Sequence, residues 1–283
     1  MAGASPEYIA ARRVLLDALT ALRPHLESTI LVGAQAVYLR TSVLWMDVVQ
    51  PYTTDADLVL DPGLLLGPPP LTALLEEAGF ERYRPVPDGP PEPGVWCPRF
   101  PEAGGELARV DLIVPEGVAG SVGRRAARLG PPHGKQAARK CKGLESALVD
   151  HDGMTIASLG DNDDRSCLVK VAGPAALLVA KSHKLGERSS TPERLNDKDA
   201  SDVLRLLAGT PREEMLERWR RLLTNPVSEG TAKEAVEHLQ RLFGGPSARG
   251  VEMACQALFP MLPRETVASY LTKAIQRLLH DLG

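Results

Sequence analysis

The feature that most restricts how this 283-residue chain can fold is a change of texture close to residue 172. Before it, short aliphatic runs alternate with Gly- and Pro-rich stretches. After it, GPAALLVAKSHKLGERSS opens a series of amphipathic segments, REEMLERWRRLL, TAKEAVEHLQRLF and ETVASYLTKAIQRLLHDL, that continues to the C-terminus. A helix repeats its apolar face every three to four residues and a strand every second one, so the two halves call for different architectures. The patterns predict an α/β domain over 1–171 and a helical domain over 172–283. The fold class expected is α+β, a mixed sheet followed by an all-α C-terminal domain.

In the first domain, EYIAARRVLLDALTALR (7–23) places Tyr8, Leu15, Leu19 and Leu22 at helical spacing. TILV reads as a short strand that Gly33 breaks, and AQAVYL restarts as a helix. The strand DADLVLD follows the polar turn YTT, and PLTALLEEAG reads as a helix with Pro at its start and Gly at its end. Residues 86–105 are too crowded with Pro and Gly for a regular element, apart from a short strand around Val95–Trp96. ELARVDLIVP reads as a strand through the middle of a sheet, with two more around Met154–Ala157 and Cys167–Val171.

No apolar run reaches the roughly 18 residues that span a bilayer, and MAGASPEYIAARR lacks the apolar core of a signal peptide. The expectation is a soluble, cytoplasmic protein without a membrane partner. Cys97, Cys141, Cys167 and Cys255 are scattered, with no C-x-x-C pair and no neighbouring His pair. That spacing argues against a zinc site and a disulfide framework, and fits a reducing compartment. A formal net charge of -3 excludes a basic surface over the whole molecule but leaves room for a local patch.

Chemistry concentrates in three aspartates. Asp55 and Asp57 stand two apart at the head of an apolar strand, so their carboxylates share a face. Asp111 lies inside ARVDLIVP between Val110 and Leu112. A carboxylate within a buried strand is costly unless something pairs with it, and a shared cation would do so. Oxygen-only ligation of this kind suits Mg²⁺. D-x-D alone is common and is as a rule structural or solvated. The order is more specific than any piece: a strand, a Gly turn and a helix, then T-x-D-x-D on a strand, then Asp on a later strand.

LVGAQAVYL followed by TTDADLVL resembles the signature of DNA polymerase β-type nucleotidyltransferases, a Gly-Gly or Gly-Ser turn followed by D-x-D. The resemblance implies a polymerase β-like nucleotidyltransferase domain in which Gly33 and Ala34, with Thr53 at the head of the later motif, lie against the bound nucleotide. Asp55, Asp57 and Asp111 would hold two Mg²⁺ ions, with an NTP as co-substrate and Asp111 as general base toward the acceptor hydroxyl. Ala34 departs from the pattern, and a Ser hydroxyl contact is lost there.

Further on, VAKSHKLGER carries Lys181, Lys184 and Arg188 on one helical face, and LNDKDASDVLRLL carries Asp199 and Asp202 three apart. From spacing alone this is a basic helix salt-bridged to an acidic one. The pair also resembles the later motifs of AbiEii-like toxin nucleotidyltransferases, including the MenT-type group. That resemblance implies a Lys contacting the nucleotide phosphates, Lys181 matching best and Lys184 next, with Arg188 also on the nucleotide side, and a downstream Asp completing the site, for which Asp199 and Asp202 both remain candidates. It further implies transfer of a nucleoside monophosphate to the 3′ end of tRNA by a toxin restrained by a separate antitoxin. The alternatives are an antibiotic-type, small-molecule nucleotidyltransferase and a catalytically silent nucleotide-binding module.

RRAARLGPPHGKQAARKCK (124–142) gathers Arg124, Arg125, Arg128, Lys135, Arg139, Lys140 and Lys142 without an acidic residue. Such a run is a solvated face by default. Seven like charges with no partner would instead favour a polyanion, here an RNA backbone or a triphosphate. His133, in a Pro-Gly turn, and His183, beside the lysine face, read as incidental.

Overall fold

The computed structural model describes residues 4–41, 52–100, 107–120, 125–188 and 197–283, which divide into two compact units. The first draws its residues from the chain up to Ala36, from 52 to Cys141 and from His151–Ala172; the second from 37–41, Lys142–Asp150 and Gly173–Gly283.

The first unit is built on a mixed eight-stranded sheet. Its strands are β1 (Thr29–Val32), β2 (Asp55–Leu60), β3 (Phe80–Arg82), β4 (Val95–Pro98), β5 (Arg109–Pro115), β6 (Arg139–Cys141), β7 (His151–Ala157) and β8 (Ser166–Ala172). They run in the order β3-β4-β5-β2-β1-β8-β7. β2 is antiparallel to β1 and parallel to β5. β4 pairs with β5 at Val110 and Asp111, and β6 pairs with it from Ile113 onward.

Helix α1 (Pro6–Ala21) starts where Ser5 Oγ accepts the Tyr8 N–H at 3.2 Å and Pro6 presets the first turn. It buries Leu15, Leu16 and Leu19 toward β2, β5 and β8. Arg12 is buried on the same helix without being orphaned. It donates to Gln35 Oε1 at 2.9 Å, to the Ala157 carbonyl at 2.8 Å and to the Tyr8 hydroxyl at 2.7 Å. Ala56, Leu58, Val110 and Leu112 are fully buried in the middle strands. Each buried aliphatic side chain of Leu size contributes roughly 1.5–3 kcal/mol, enough to hold these strands central although they also carry carboxylates.

The remaining helices of this half are α2 (Gly33–Arg40), which crosses the division at Ala36, and α3 (Leu71–Glu77). The three-residue strands β3 and β6 are the elements that periodicity does not predict, because so short a segment carries no period.

The second unit is helical: α4 (Pro174–Arg188), α5 (Asp197–Gly209), α6 (Arg212–Thr224), α7 (Glu229–Phe243), α8 (Arg249–Leu258) and α9 (Arg264–Leu282). Leu178, Val203, Leu206, Trp219, Phe243, Leu258 and Ile275 are among its fully buried residues. Asp150, also fully buried, caps α4 by accepting the Ala176 N–H at 3.0 Å, and takes the Arg218 guanidinium at 2.6 Å. A Cβ on Gly173 would stand 2.2 Å from that carboxylate, so only glycine leaves it room. Among the described residues no helix is long and apolar enough to cross a membrane.

Candidate functional site

The parallel register of β2 and β5 sets Asp57 opposite Asp111 and Asp55 opposite Arg109. Residues paired across parallel strands point to one side, and the two-residue period puts Asp55 with Asp57. The three carboxylates and Arg109 therefore share one face of the central strands. Beside them, the turn from β1 into α2 passes through Gly33 at φ +71°. A Cβ there would lie 2.0 Å from Asp57 Oδ2, so the Asp57 carboxylate fills the space of a side chain at 33. Glycine is required twice over, for the left-handed backbone and for the close approach.

Electrostatics on this face are unbalanced. Arg109 Nε donates to Asp55 Oδ1 at 3.1 Å, while its guanidinium lies 5.1 Å from the centre of the Tyr83 ring. Arg139, on β6, donates to Asp111 Oδ2. Asp57 has neither a side-chain hydrogen bond nor an ion pair among the described residues. Burial pushes the Asp111 carboxyl up to about 6; Arg139 opposes this, and the negative charges of Asp57 and Asp55 add to it. Among the described residues three carboxylates thus face two guanidiniums that pair with them. An all-oxygen donor set with surplus negative charge is what a hard divalent cation such as Mg²⁺ takes, but the three carboxylates do not bring ligand atoms within 4.8 Å of one another as they stand.

The nearby residues have structural partners. Thr53 is buried, and its hydroxyl accepts the Asp55 N–H at 3.3 Å, which fixes the entry into β2. Ala34 is buried in the first turn of α2. Gln35, which the sequence reading passes over, donates to the carbonyls of Ala11 and Asp55 at 3.2 and 3.3 Å. The signal for it was a lone amide in an otherwise apolar helix start.

The second cluster lies within the helical unit. Lys181 donates to Asp199 Oδ1 at 2.8 Å and to Asp202 Oδ2 at 2.5 Å. Lys184 reaches Asp199 at 3.0 Å and Arg188 reaches it at 3.5 Å, so the three cations do share one face of α4. Lys181 is buried, which by itself lowers an ammonium's pKa; Asp202 and Asp199 overcome that and hold it well above the usual range. Asp199 is likewise held well below the usual carboxylate range, because Lys181 and Lys184 outweigh its burial. Both aspartates take the same ammonium. The arrangement is the salt-bridged pair of helices that spacing alone suggests, drawn into the interior.

Most of the charges in the tract at 124–142 are paired with acids. Arg124 lies outside the described residues. Four of the other charges have acidic partners: Arg125 with Glu92 at 3.0 Å, Lys140 with Glu116 at 3.8 Å, Lys142 with Glu234 at 2.7 Å, and Arg139 with Asp111. The expectation of like charges without partners fails because the acids come from distant parts of the sequence. Arg128 and Lys135 are exposed and make no ion pair among the described residues. His133 is structural: Nδ1 accepts the Leu71 N–H at 3.3 Å and Nε2 donates to the Leu66 carbonyl at 2.7 Å, tying down the chain before α3.

A surface hollow lined by Arg13, Gly160, Asp161, Asn162, Asp163 and Arg165 shares no residue with the aspartate face. No family model, no curated protein and no solved structure matches the chain.

Proposed function

We propose that the chain is a Mg²⁺-dependent nucleotidyltransferase of polymerase β-like fold, moving a nucleoside monophosphate from an NTP to an acceptor hydroxyl. The observation that carries this reading is Asp57 set opposite Asp111, beside Asp55 and against the Cα of Gly33, on a face with more carboxylate than guanidinium charge. Asp55, Asp57 and Asp111 would hold the metal. Bound Mg²⁺ supplies charge neutralisation for the triphosphate and acidifies the attacking hydroxyl. Gly33, lacking a Cβ, lets the Asp57 carboxylate seat against the head of α2, whose first backbone N–H groups would take phosphate. The acceptor oxygen attacks the α-phosphorus, its proton passes to Asp111, and pyrophosphate leaves with the electrons of the broken P–O bond. Following the resemblance to AbiEii-like and MenT-type proteins, the acceptor proposed is the 3′ end of tRNA, and the role proposed is a toxin with a cognate antitoxin.

One observation favours a second reading, a silent nucleotide-binding module: Arg109 and Arg139 already hold Asp55 and Asp111. The two separate on incubating the protein with each labelled NTP, Mg²⁺ and total tRNA. Label on RNA, abolished by EDTA and by Asp57→Ala, supports transfer. Nucleotide binding with no transfer from any NTP to RNA or to small acceptors overturns it in favour of the module.

A further inference from the structure

His183, set aside in the sequence, sits in a cluster that neither the aspartate face nor the Lys181 network uses. It projects from α4 toward α7, where Glu234 and His238 stand one turn apart on one face. The ligand-capable atoms of these three side chains lie within 4.8 Å of one another, and among the described residues this is the only such group of three.

The protonation pattern suits ligation. His183 Nε2 lies 2.8 Å from the Thr231 carbonyl, which can only accept, so Nε2 carries the hydrogen. The lone pair is then on Nδ1, which faces Glu234 Oε2 at 4.0 Å. A carbonyl fixing the far nitrogen of a metal-binding imidazole is the usual supporting contact in zinc sites. On His238, Nδ1 accepts from Arg241 at 3.0 Å and is therefore also unprotonated.

Two glycines make the room. A Cβ on Gly143, at φ +84°, would stand 2.6 Å from His183 Cγ, and a Cβ on Gly186 would stand 2.9 Å from three atoms of the His238 ring. Gly186 lies inside helix α4, where it costs helix stability relative to alanine. Two cations also stand against the cluster. The Lys142 ammonium is 2.7 Å from Glu234 Oε2, and the Arg241 guanidinium covers His238 Nδ1. Both come from side chains that reach solvent, and both occupy lone pairs that a metal ion would take.

We propose that His183, Glu234 and His238 bind one transition-metal ion per chain, Zn²⁺ above all, with solvent as fourth ligand, Lys142 displaced from Glu234 and Arg241 displaced from His238 Nδ1. Two imidazoles and a carboxylate are a ligand set that tetrahedral zinc accepts. Bonds of about 2.0–2.1 Å place tetrahedral ligand atoms about 3.4 Å apart, so the half-exposed Glu234 closes its 4.0 Å gap to His183 by a small side-chain rotation. Cysteine spacing gives no hint of such a site because no cysteine takes part.

The test titrates chelator-stripped full-length protein with Zn²⁺ by calorimetry, and with Co²⁺ by its tetrahedral absorption band. Excess Mg²⁺ is kept present to occupy the aspartate face. One ion per chain is expected, with affinity falling at least ~10-fold in Glu234→Ala and in His238→Ala. Lys142→Gln, which removes a competing cation from a partly exposed position, is expected to tighten binding several-fold. Absence of saturable binding, or an affinity indifferent to Glu234→Ala and His238→Ala in variants with unchanged circular dichroism, overturns the proposal. Should those variants fail to fold, an unchanged affinity in Lys142→Gln overturns it alone.

Discussion

On the sheet, Asp55, Asp57 and Asp111 face Arg109 and Arg139; in the helical unit, Asp199 and Asp202 surround Lys181, with Lys184 and Arg188 also drawn to Asp199. Carboxylates are plentiful in both places, yet Asp111 and Asp199 move in opposite directions. Burial and like charge push Asp111 up to about 6, whereas Lys181 and Lys184 hold Asp199 far below its ordinary value. Among the described residues the first cluster has three carboxylates and two paired guanidiniums, and under the proposed function a metal ion would supply the missing charge. The second is already neutralised from within, and its central ammonium is spent on two carboxylates. The balance of charge around a group of aspartates, more than their number or spacing, separates the carboxylate-rich face of the sheet from a cross-link between helices.

The largest effect that can break this comparison is on the helical side. Lys181→Met leaves Asp199 and Asp202 buried without their ammonium, and removing one partner of a buried ion pair costs about 3–5 kcal/mol. Urea unfolding of the metal-free protein measures it. A loss below about 1 kcal/mol would mean that the cluster behaves like a surface salt bridge and that Lys181 can be released toward a ligand, removing the contrast.

Next comes Gly33→Ala, on the sheet side. The left-handed backbone costs an alanine about 1–2 kcal/mol, and the new methyl meets Asp57 Oδ2 at 2.0 Å, forcing the carboxylate to move. Under the proposed function the transfer rate at saturating NTP is expected to fall about 100-fold or more, the cost of misplacing a reacting group by an ångström. Stability and turnover are read on the same preparation. A variant as active as the parent would detach Asp57 from the chemistry, whatever its stability.

Sequence pattern reaches far into both regions, and its failures have physical causes. TILV, DADLVL and RVDLIVP form the adjacent strands β1, β2 and β5, because aliphatic residues interrupted by a polar turn or a glycine leave few alternatives. The common face of Asp55 and Asp57 follows from strand period alone. Which strand stands opposite Asp57 does not, since pairing register is a tertiary property. For the same reason the acids that partner the basic tract, Glu92, Glu116 and Glu234, could not be found from the tract itself. His183 gained its neighbours only when α4 met α7, and no spacing within one helix announces a ligand from another.

The smallest effect sharpens the contrast through pH. A carboxyl whose pKa is higher in the folded than in the unfolded state binds its proton more tightly when folded. Between about 4, the ordinary Asp value, and about 6, Asp111 should therefore make stability fall as pH rises. Asp199 has the opposite sign: its depressed pKa contributes stability above the ordinary range that is lost only as pH falls below it. Unfolding free energies measured in EDTA from pH 4 to pH 6.5 should show a decline of about 1 kcal/mol that disappears in Asp111→Asn, the size expected for a single shifted carboxyl discounted for partial hydration. Asp57→Asn removes one of the like charges acting on Asp111 and should shift the decline to lower pH without abolishing it. Mg²⁺ favours the ionised carboxyl and should flatten the decline in the parent protein while leaving Asp111→Asn unchanged. A profile that is flat in EDTA, or a decline that survives Asp111→Asn, would mean that Arg139 and Arg109 already neutralise the face, and the difference between the two clusters would then be one of position alone.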